Sequence, residues 1–321
     1  MSYNAFALIP VPSLDIEALT RDSSLIIVGE AMSVRDGGSD IIQAGGRSIT
    51  ARRMVVDLNV TRTIKGQVAA SMIAFSYLLP RESLGYSGVS PRQFGMFFLR
   101  SDPQKGLVVS NPYYPAVVAA PDPPPAKGND FERVVSEVAQ VLISTMTSID
   151  DRLQSVMILD SVNTPSATMA LHRAVEAADR RLRLRAIASL LRRDDISYLN
   201  LAEKALMQDG RDSDSNLLGW LAFALEGVRN RKALPSLTRL LNAHSPQVRR
   251  SAVYAIRNTG DSAAITPLSK ALYDTDQAVR YQAVIGLAEI SNQPNWGPSV
   301  ELFNKDEQRY LVYWRNWVKG R

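Results

Sequence analysis

The chain has 321 residues, a net charge of +5, no cysteine and two histidines, and 45% of its residues are hydrophobic. The missing cysteines exclude disulfides, thiol catalysis and Cys-ligated zinc or iron–sulfur clusters, and two histidines leave little material for a histidine-rich metal site. The length suggests about two domains.

No apolar run approaches the ~20 residues that a membrane-spanning helix needs. The run at 68–79 is interrupted by Ser71 and Ser76. Residues 1–12 have neither a basic start nor a long apolar segment, so the sequence predicts no membrane span and no signal peptide. We therefore expect a cytoplasmic protein, or an exported mature form that has lost its signal.

Residues 1–119 are predicted to form a β domain. The run at 25–30 is typical of a buried strand, and apolar and polar residues alternate over 54–64. Further strands are predicted at 68–79, 94–99 and 107–110, with glycine turns at 36–39 and 45–46. Short strands with frequent turns favour a small antiparallel β-barrel or sandwich.

The runs at 24–30, 60–66 and 94–99 resemble the OB-type barrel of netrin-like and metalloprotease-inhibitor-like modules. The resemblance implies an OB-like barrel over about the first 115 residues, of a kind often exported in bacteria. Animal members carry disulfides and an N-terminal cysteine, which this chain lacks. Protease inhibition is therefore not implied.

A proline-rich linker is predicted at 120–128, because four prolines in residues 121–125 favour extended backbone. After the linker the hydrophobic period changes from about 2 to about 3.6. Residues 129–303 are accordingly predicted to form an α-solenoid that begins with capping helices at 130–146 and 150–159. Residues 304–321 are predicted to form a C-terminal capping helix.

An internal repeat lies within this helical region. Residues 233–241 align with 264–272, and 248–256 align with 279–287, both at an offset of 31. The pattern of 248–256 also recurs near 217, at an offset of 31, and once more near 182, at an offset of 35 from 217. The repeats therefore predict four second helices, starting near 181, 216, 247 and 278.

The Val-Arg pairs at 248–249 and 279–280, and the alanine-rich rows after them, resemble HEAT repeats of the bacterial phycobilisome-lyase type. The resemblance covers 165–293 and implies an armadillo-like superhelical solenoid. The physical reason is that each helix pair has an apolar stripe that only a neighbouring pair can bury.

Basic charge is concentrated in residues 165–321, which carry 23 basic and 16 acidic side chains, a net charge of +7. Arg183, Arg249 and Arg280 share one repeat position, where we expect them to bond to a preceding aspartate or to backbone carbonyls. The basic charge that remains could serve nucleic acid or an acidic partner.

The outward positions of the second helices are the predicted binding surface, because aromatic and arginine side chains are common interface anchors. The candidate residues are Trp220, Phe223, Arg250, Tyr254, Arg257 and Tyr281. We find no P-loop, Gly-x-Gly-x-x-Gly, His-Glu-x-x-His or nucleophile-elbow motif, and so predict no catalytic residue, metal ligand or cofactor.

The sequence thus predicts a non-enzymatic scaffold that binds a protein partner on its solenoid. One alternative is a nucleic-acid-binding protein that uses the basic second domain. Another is a chromophore lyase or isomerase subunit, which only the name of the repeat family suggests. The identity of the partner and the oligomeric state stay open.

Overall fold

The structure, a computed structural model, describes residues 13–44, 47–80, 88–124, 128–208 and 215–320. The chain divides into two compact units, Met1–Ala170 and Leu171–Arg321. This division lies well beyond the linker predicted at 120–128, so the first unit also contains the two helices that follow that segment. The domain boundaries drawn from sequence stay a prediction.

Before the repeat helices, the described residues of the first unit form a short helix, five strands and two longer helices. They are α1 Ile16–Asp22, β1 Leu25–Ala44, β2 Arg47–Lys65, β3 Met72–Pro80, β4 Phe94–Asp102, β5 Gly106–Val109, α2 Asp130–Ile143 and α3 Ile149–Asp160. The strands close into a ring in the order β1-β2-β3-β5-β4, with β1 also paired to β4. Strands β3 and β5 pair in parallel at Ser76 and Val108, so the sheet is mixed rather than wholly antiparallel.

The glycine turn predicted at 36–39 is not a turn. Strand β1 continues through it, and its register against β2 shifts between Asp36 and Ser39. Gly38 adopts a φ of 103°, which side-chain-bearing residues rarely tolerate. The two glycines therefore form a bulge within a long strand. The turn predicted at 45–46 lies outside the described residues.

Inside the ring, apolar side chains from all five strands form the core of the first unit. The rings of Phe75 and Phe97 lie 5.3 Å apart and are tilted, as aromatic pairs prefer. Gly29 marks a close approach of β1 to β2, because a Cβ there would lie 2.2 Å from the carbonyl oxygen of Asn59. A larger residue at 29 would therefore push the two strands apart.

An ion pair connects the sheet to α2. The guanidinium of Arg62 on β2 donates to Glu137 at 2.7 Å, and the Glu137 side chain is 3% exposed. Arg62 also donates to the carbonyl oxygens of Ala120, at 2.6 Å, and Pro121. These bonds satisfy a charge that would be very costly to bury alone, and they hold the start of the proline-rich segment against β2.

The second unit consists of the repeat helices, and the unit boundary falls within the first of them. The helices are α4 Pro165–Ala174, α5 Arg180–Arg192, α6 Leu199–Met207, α7 Ser215–Ala224, α8 Leu234–Leu240, α9 Pro246–Asn258, α10 Ile265–Ala271 and α11 Gln277–Ile290. The four predicted second helices are α5, α7, α9 and α11, and each begins one residue before its predicted start.

Consecutive second helices contact one another, α5 with α7, α7 with α9 and α9 with α11. One apolar repeat position is buried in all four: Leu182, Leu217, Val248 and Val279. This repetition produces a continuous core, as stacked repeats require, and confirms the predicted helical solenoid.

The C-terminal segment caps this core with two helices, α12 Val300–Lys305 and α13 Glu307–Lys319, where one was predicted. The break lies at Asp306, whose carboxylate accepts a hydrogen bond from the backbone of Arg309. Trp314 on α13 is fully buried, and its Nε1 donates to the carbonyl oxygen of Trp296 at 3.0 Å. Phe303, Tyr310 and Trp314 of this segment are all buried, so its aromatic side chains pack inward.

Candidate binding surface on the second unit

The arginines of the shared repeat position have one structural role. Each of Arg183, Arg249 and Arg280 donates through Nη1 to the carbonyl oxygens six and five residues before it. Those carbonyls belong to the turn between the two helices of a pair. The expectation that these arginines bind backbone carbonyls is confirmed, and the aspartates before them cap the helices instead, as Asp179 and Asp276 do.

Two of these arginines also form ion pairs with the element that follows, a repeat in one case and the C-terminal cap in the other. Arg249 binds both carboxylate oxygens of Asp274, at 2.8 and 2.9 Å, and Arg280 binds Glu307. Burial acts to raise the pKa of Asp274, but the hydrogen bonds from Arg249 and the Asp276 backbone, together with the charges of Arg249 and Arg280, lower that pKa. The hydrogen bond with Asp274 raises the pKa of Arg249. The charges of Arg249 and Arg280 are therefore paired within the protein.

A groove of about 350 Å³ opens on the outward face of α7, α9 and α11. Its lining includes three of the six candidate residues, Phe223, Arg250 and Tyr254. The other lining residues are Glu226, Gln247, Ser251, Ala278 and Gln282. The groove thus combines aromatic rings, two amides and one charge of each sign, which suits a ligand with both apolar and polar groups.

Trp220 lies on the same helix as Phe223, three residues earlier, so the two side chains share one face of α7. Trp220 is 55% exposed and Phe223 is 53% exposed. Two large aromatic side chains this exposed on one helix face form an apolar patch of the kind that is common at interaction sites.

Arg257 and Tyr281 have other surroundings. Arg257 lies over the Tyr254 ring, 5.4 Å from its centroid, and donates to Glu289 at 2.6 Å and to Gln282 at 3.1 Å. It therefore supports Tyr254 while its own charge is paired. Tyr281 packs against Phe303, with ring centroids 5.2 Å apart, and its hydroxyl donates to Pro298, so it does not line the groove.

The sequence reasoning did not single out Gln247, Gln282 or Glu226. Gln247 precedes Arg250 and Tyr254 by three and seven residues, a helical spacing that places it on their face. Gln282 occupies the repeat position of Trp220, 62 residues later and two repeats along the chain. Glu226 accepts a hydrogen bond from Ser251 at 3.1 Å, which joins the end of α7 to α9.

Both histidines lie in the second unit. His172 contacts Asp195 at 2.9 Å and Tyr198 at 3.3 Å, and Asp195 also binds Ser197, while His244 is exposed in a turn. In the ranges that the structure describes, no group of three or more His, Cys, Asp or Glu residues could hold a metal ion. The same ranges contain no helix with the length and apolar character needed to cross a bilayer.

Residues 203–288 match the family model described as HEAT repeats. This match covers α7 to α11 and identifies the segment as the HEAT-like α-solenoid that the sequence predicted. A search of curated proteins finds no match to the chain.

Among solved structures, the chain is similar to a designed armadillo repeat protein with 17% identity over 51% of this chain and 88% of that chain, at a TM-score of 0.36. A second designed armadillo repeat protein, in complex with the peptide (KR)4, has 16% identity over 56% of this chain and 100% of that chain, at a TM-score of 0.38. Human deoxyhypusine hydroxylase has 13% identity over 57% of this chain and 94% of that chain, at a TM-score of 0.23.

Proposed function

We propose that the second unit is a non-catalytic scaffold that binds a protein partner on the groove of α7, α9 and α11. The observation that carries the proposal is the pair Trp220 and Phe223, which stand more than half exposed beside this groove. Solenoids of stacked helix pairs commonly bind ligands along such a repeated surface. Aromatic and arginine side chains supply much of the energy in protein interfaces.

The nucleic-acid alternative has less support, because binding of phosphates requires arginines whose charge is free. Arg249 and Arg280 are held by carboxylates, as are Arg239, by Glu203, and Arg257, by Glu289. These four arginines are therefore paired within the protein and are not free to bind phosphates, although the net charge of +7 is unchanged by such pairs. A mixed groove with exposed aromatic rings fits a protein segment better than a phosphate backbone.

Photo-crosslinking from the groove tests the proposal. A photoreactive phenylalanine analogue is placed at Phe223 of the full chain, which is exposed to a lysate of its source cells. A matched control carries the analogue at Tyr273, which is 61% exposed on the α10 side of the solenoid. We expect one or a few proteins to be crosslinked from 223 and not from 273.

The same crosslinks should disappear when Arg250→Glu and Trp220→Ser are introduced together, with circular dichroism showing that the helices remain. Crosslinking from 223 that is no stronger than from 273, or that survives this double substitution, would contradict the proposal.

A further inference from the structure

The exposed aromatic pair lies between two arginines, one on each neighbouring second helix. Arg185 on α5 occupies the same repeat position as Trp220, at the offset of 35 that relates those two helices. Arg250 lies on α9, which contacts α7 on its other side. Along the row α5, α7, α9 the surface is therefore basic, then aromatic, then basic.

These two arginines differ from those of the shared repeat position, because their charge is largely uncompensated. Arg185 forms no ion pair with any residue that the structure describes. Arg250 is 48% exposed, and its Nε lies 3.9 Å from a carboxylate oxygen of Asp276. That oxygen already accepts a hydrogen bond from the backbone of Val279, and long surface pairs contribute little.

The groove itself contains one carboxylate, that of Glu226, which is bonded to Ser251. A carboxylate in this place can accept a hydrogen bond from the backbone N–H of a bound segment. It lies at the end of α7, beyond Phe223, and so does not neutralise Arg185. The charge around the aromatic pair therefore favours an anionic partner.

We propose that the occupant of this surface is an extended segment of a protein partner, in which a large apolar side chain stands between two acidic residues. The inference rests on the proposed function and adds the chemistry of the partner. The apolar side chain packs on Trp220 and Phe223, and the two carboxylates meet Arg185 and Arg250. Burial of apolar area supplies affinity, and the two charge pairs fix the register.

The spacing of the acidic residues follows from helix geometry. Packed helices lie about 8–10 Å apart, and an extended chain advances about 3.3 Å per residue. One helix-to-helix step is therefore spanned by about three residues. Because successive side chains of an extended chain point to opposite sides, only residues at an even spacing face the same surface, and we expect the acidic residues two or four positions before and after the apolar anchor.

Selection from a phage-displayed random-peptide library on the immobilised full chain tests this inference. We expect the enriched peptides to share the acidic–apolar–acidic pattern. For a synthetic peptide of that pattern, Arg185→Glu with Arg250→Glu should weaken binding at least about tenfold, because like charges then face each other. Lys232→Glu with Lys270→Glu changes the net charge equally at exposed sites outside the groove and should leave binding unchanged.

A second variant, Trp220→Ser with Phe223→Ser, separates the two possible failures. If no peptide is enriched, or if the enriched peptides bind this variant as well as the parent chain, both the proposed function and the inference fail. If the peptides need Trp220 and Phe223 but are neutral or basic, only the inference is overturned. Unchanged thermal unfolding shows that each variant is folded.

Discussion

In the first unit, residues that meet are far apart along the chain, whereas the second unit repeats one set of contacts between neighbouring repeats. Leu25 pairs with Leu99 across the sheet, and Arg62 reaches Glu137, 75 residues away. In the second unit, Arg249 reaches Asp274, only 25 residues on, and Arg280 reaches Glu307 of the C-terminal cap, 27 residues on. Loss of one contact should therefore affect the whole sheet in the first unit but only adjacent repeats in the second.

The largest effect is expected from Arg62→Ala, which leaves Glu137 charged, buried and without its partner. We expect the first unit to lose about 3–5 kcal/mol of its free energy of unfolding. Hydrogen exchange should show faster opening throughout the strands. Arg35→Ala is the matched control, since Arg35 pairs with Asp57 on the surface, and it should cost less than about 1 kcal/mol. Equal effects of the two substitutions would contradict this account.

A smaller effect, dependent on pH, is expected from Asp274→Asn in the second unit. The folded-state pKa of Asp274 lies below its unfolded value of about 3.9, so its carboxylate stabilises the unit above about pH 4. This stabilisation is lost as the pH falls through the folded-state pKa. At neutral pH the variant should be about 1.5–3 kcal/mol less stable, because a charged hydrogen bond is weakened.

Denaturant unfolding at a series of pH values measures this difference, which should shrink as the pH falls below about 4. Glu301→Gln, at an exposed position of α12, is the control and should change little at any pH. A difference between the Asp274 variant and the parent chain that stays constant with pH would exclude the carboxylate as its source.

The smallest effects, of opposite sign, are expected from two glycines. Gly29→Ala places a Cβ against the backbone of Asn59 and should destabilise the first unit by about 1–3 kcal/mol. Gly219→Ala meets only the side chain of Gln247, at an ordinary 3.5 Å, and removes glycine from a helix interior. It should stabilise the second unit by about 0.5–1 kcal/mol. Thermal unfolding of both variants checks the signs, and a loss of stability from Gly219→Ala would show that α7 has no room there.

The sequence predicts the second helices to within one residue because their pattern recurs: Val-Arg at 248–249 returns at 279–280. A residue pattern that recurs at a fixed spacing reflects a structural requirement rather than chance. It also predicts that Phe223, Arg250 and Tyr254 lie on one surface. The sequence does not predict that Gln247 and Gln282 line the groove. A glutamine on a polar helix face is usually just solvated, and only the packing of α9 beside α11 brings these two together.

Features that occur once are harder to predict. Arg62 interrupts the apolar side of an alternating strand, and the sequence does not show what it binds, because its partner Glu137 lies 75 residues further along the chain. Tyr281 occupies the repeat position of Arg250, 31 residues later, and so is expected on the same surface. The next repeat is absent there, and the C-terminal segment brings Phe303 against its ring instead.

The bonds of the repeat arginine bear on how such a chain can change in length. Arg249 binds carbonyls of its own turn and a carboxylate of the following repeat, so a unit of 31 residues that runs from 244 to 274 contains both partners of this junction. Duplication of such a unit would copy both the arginine and the carboxylate, and the new copy could form the same ion pair with the repeat on each side. Growth by gene duplication, or shortening by deletion in the same register, therefore needs no newly evolved contact.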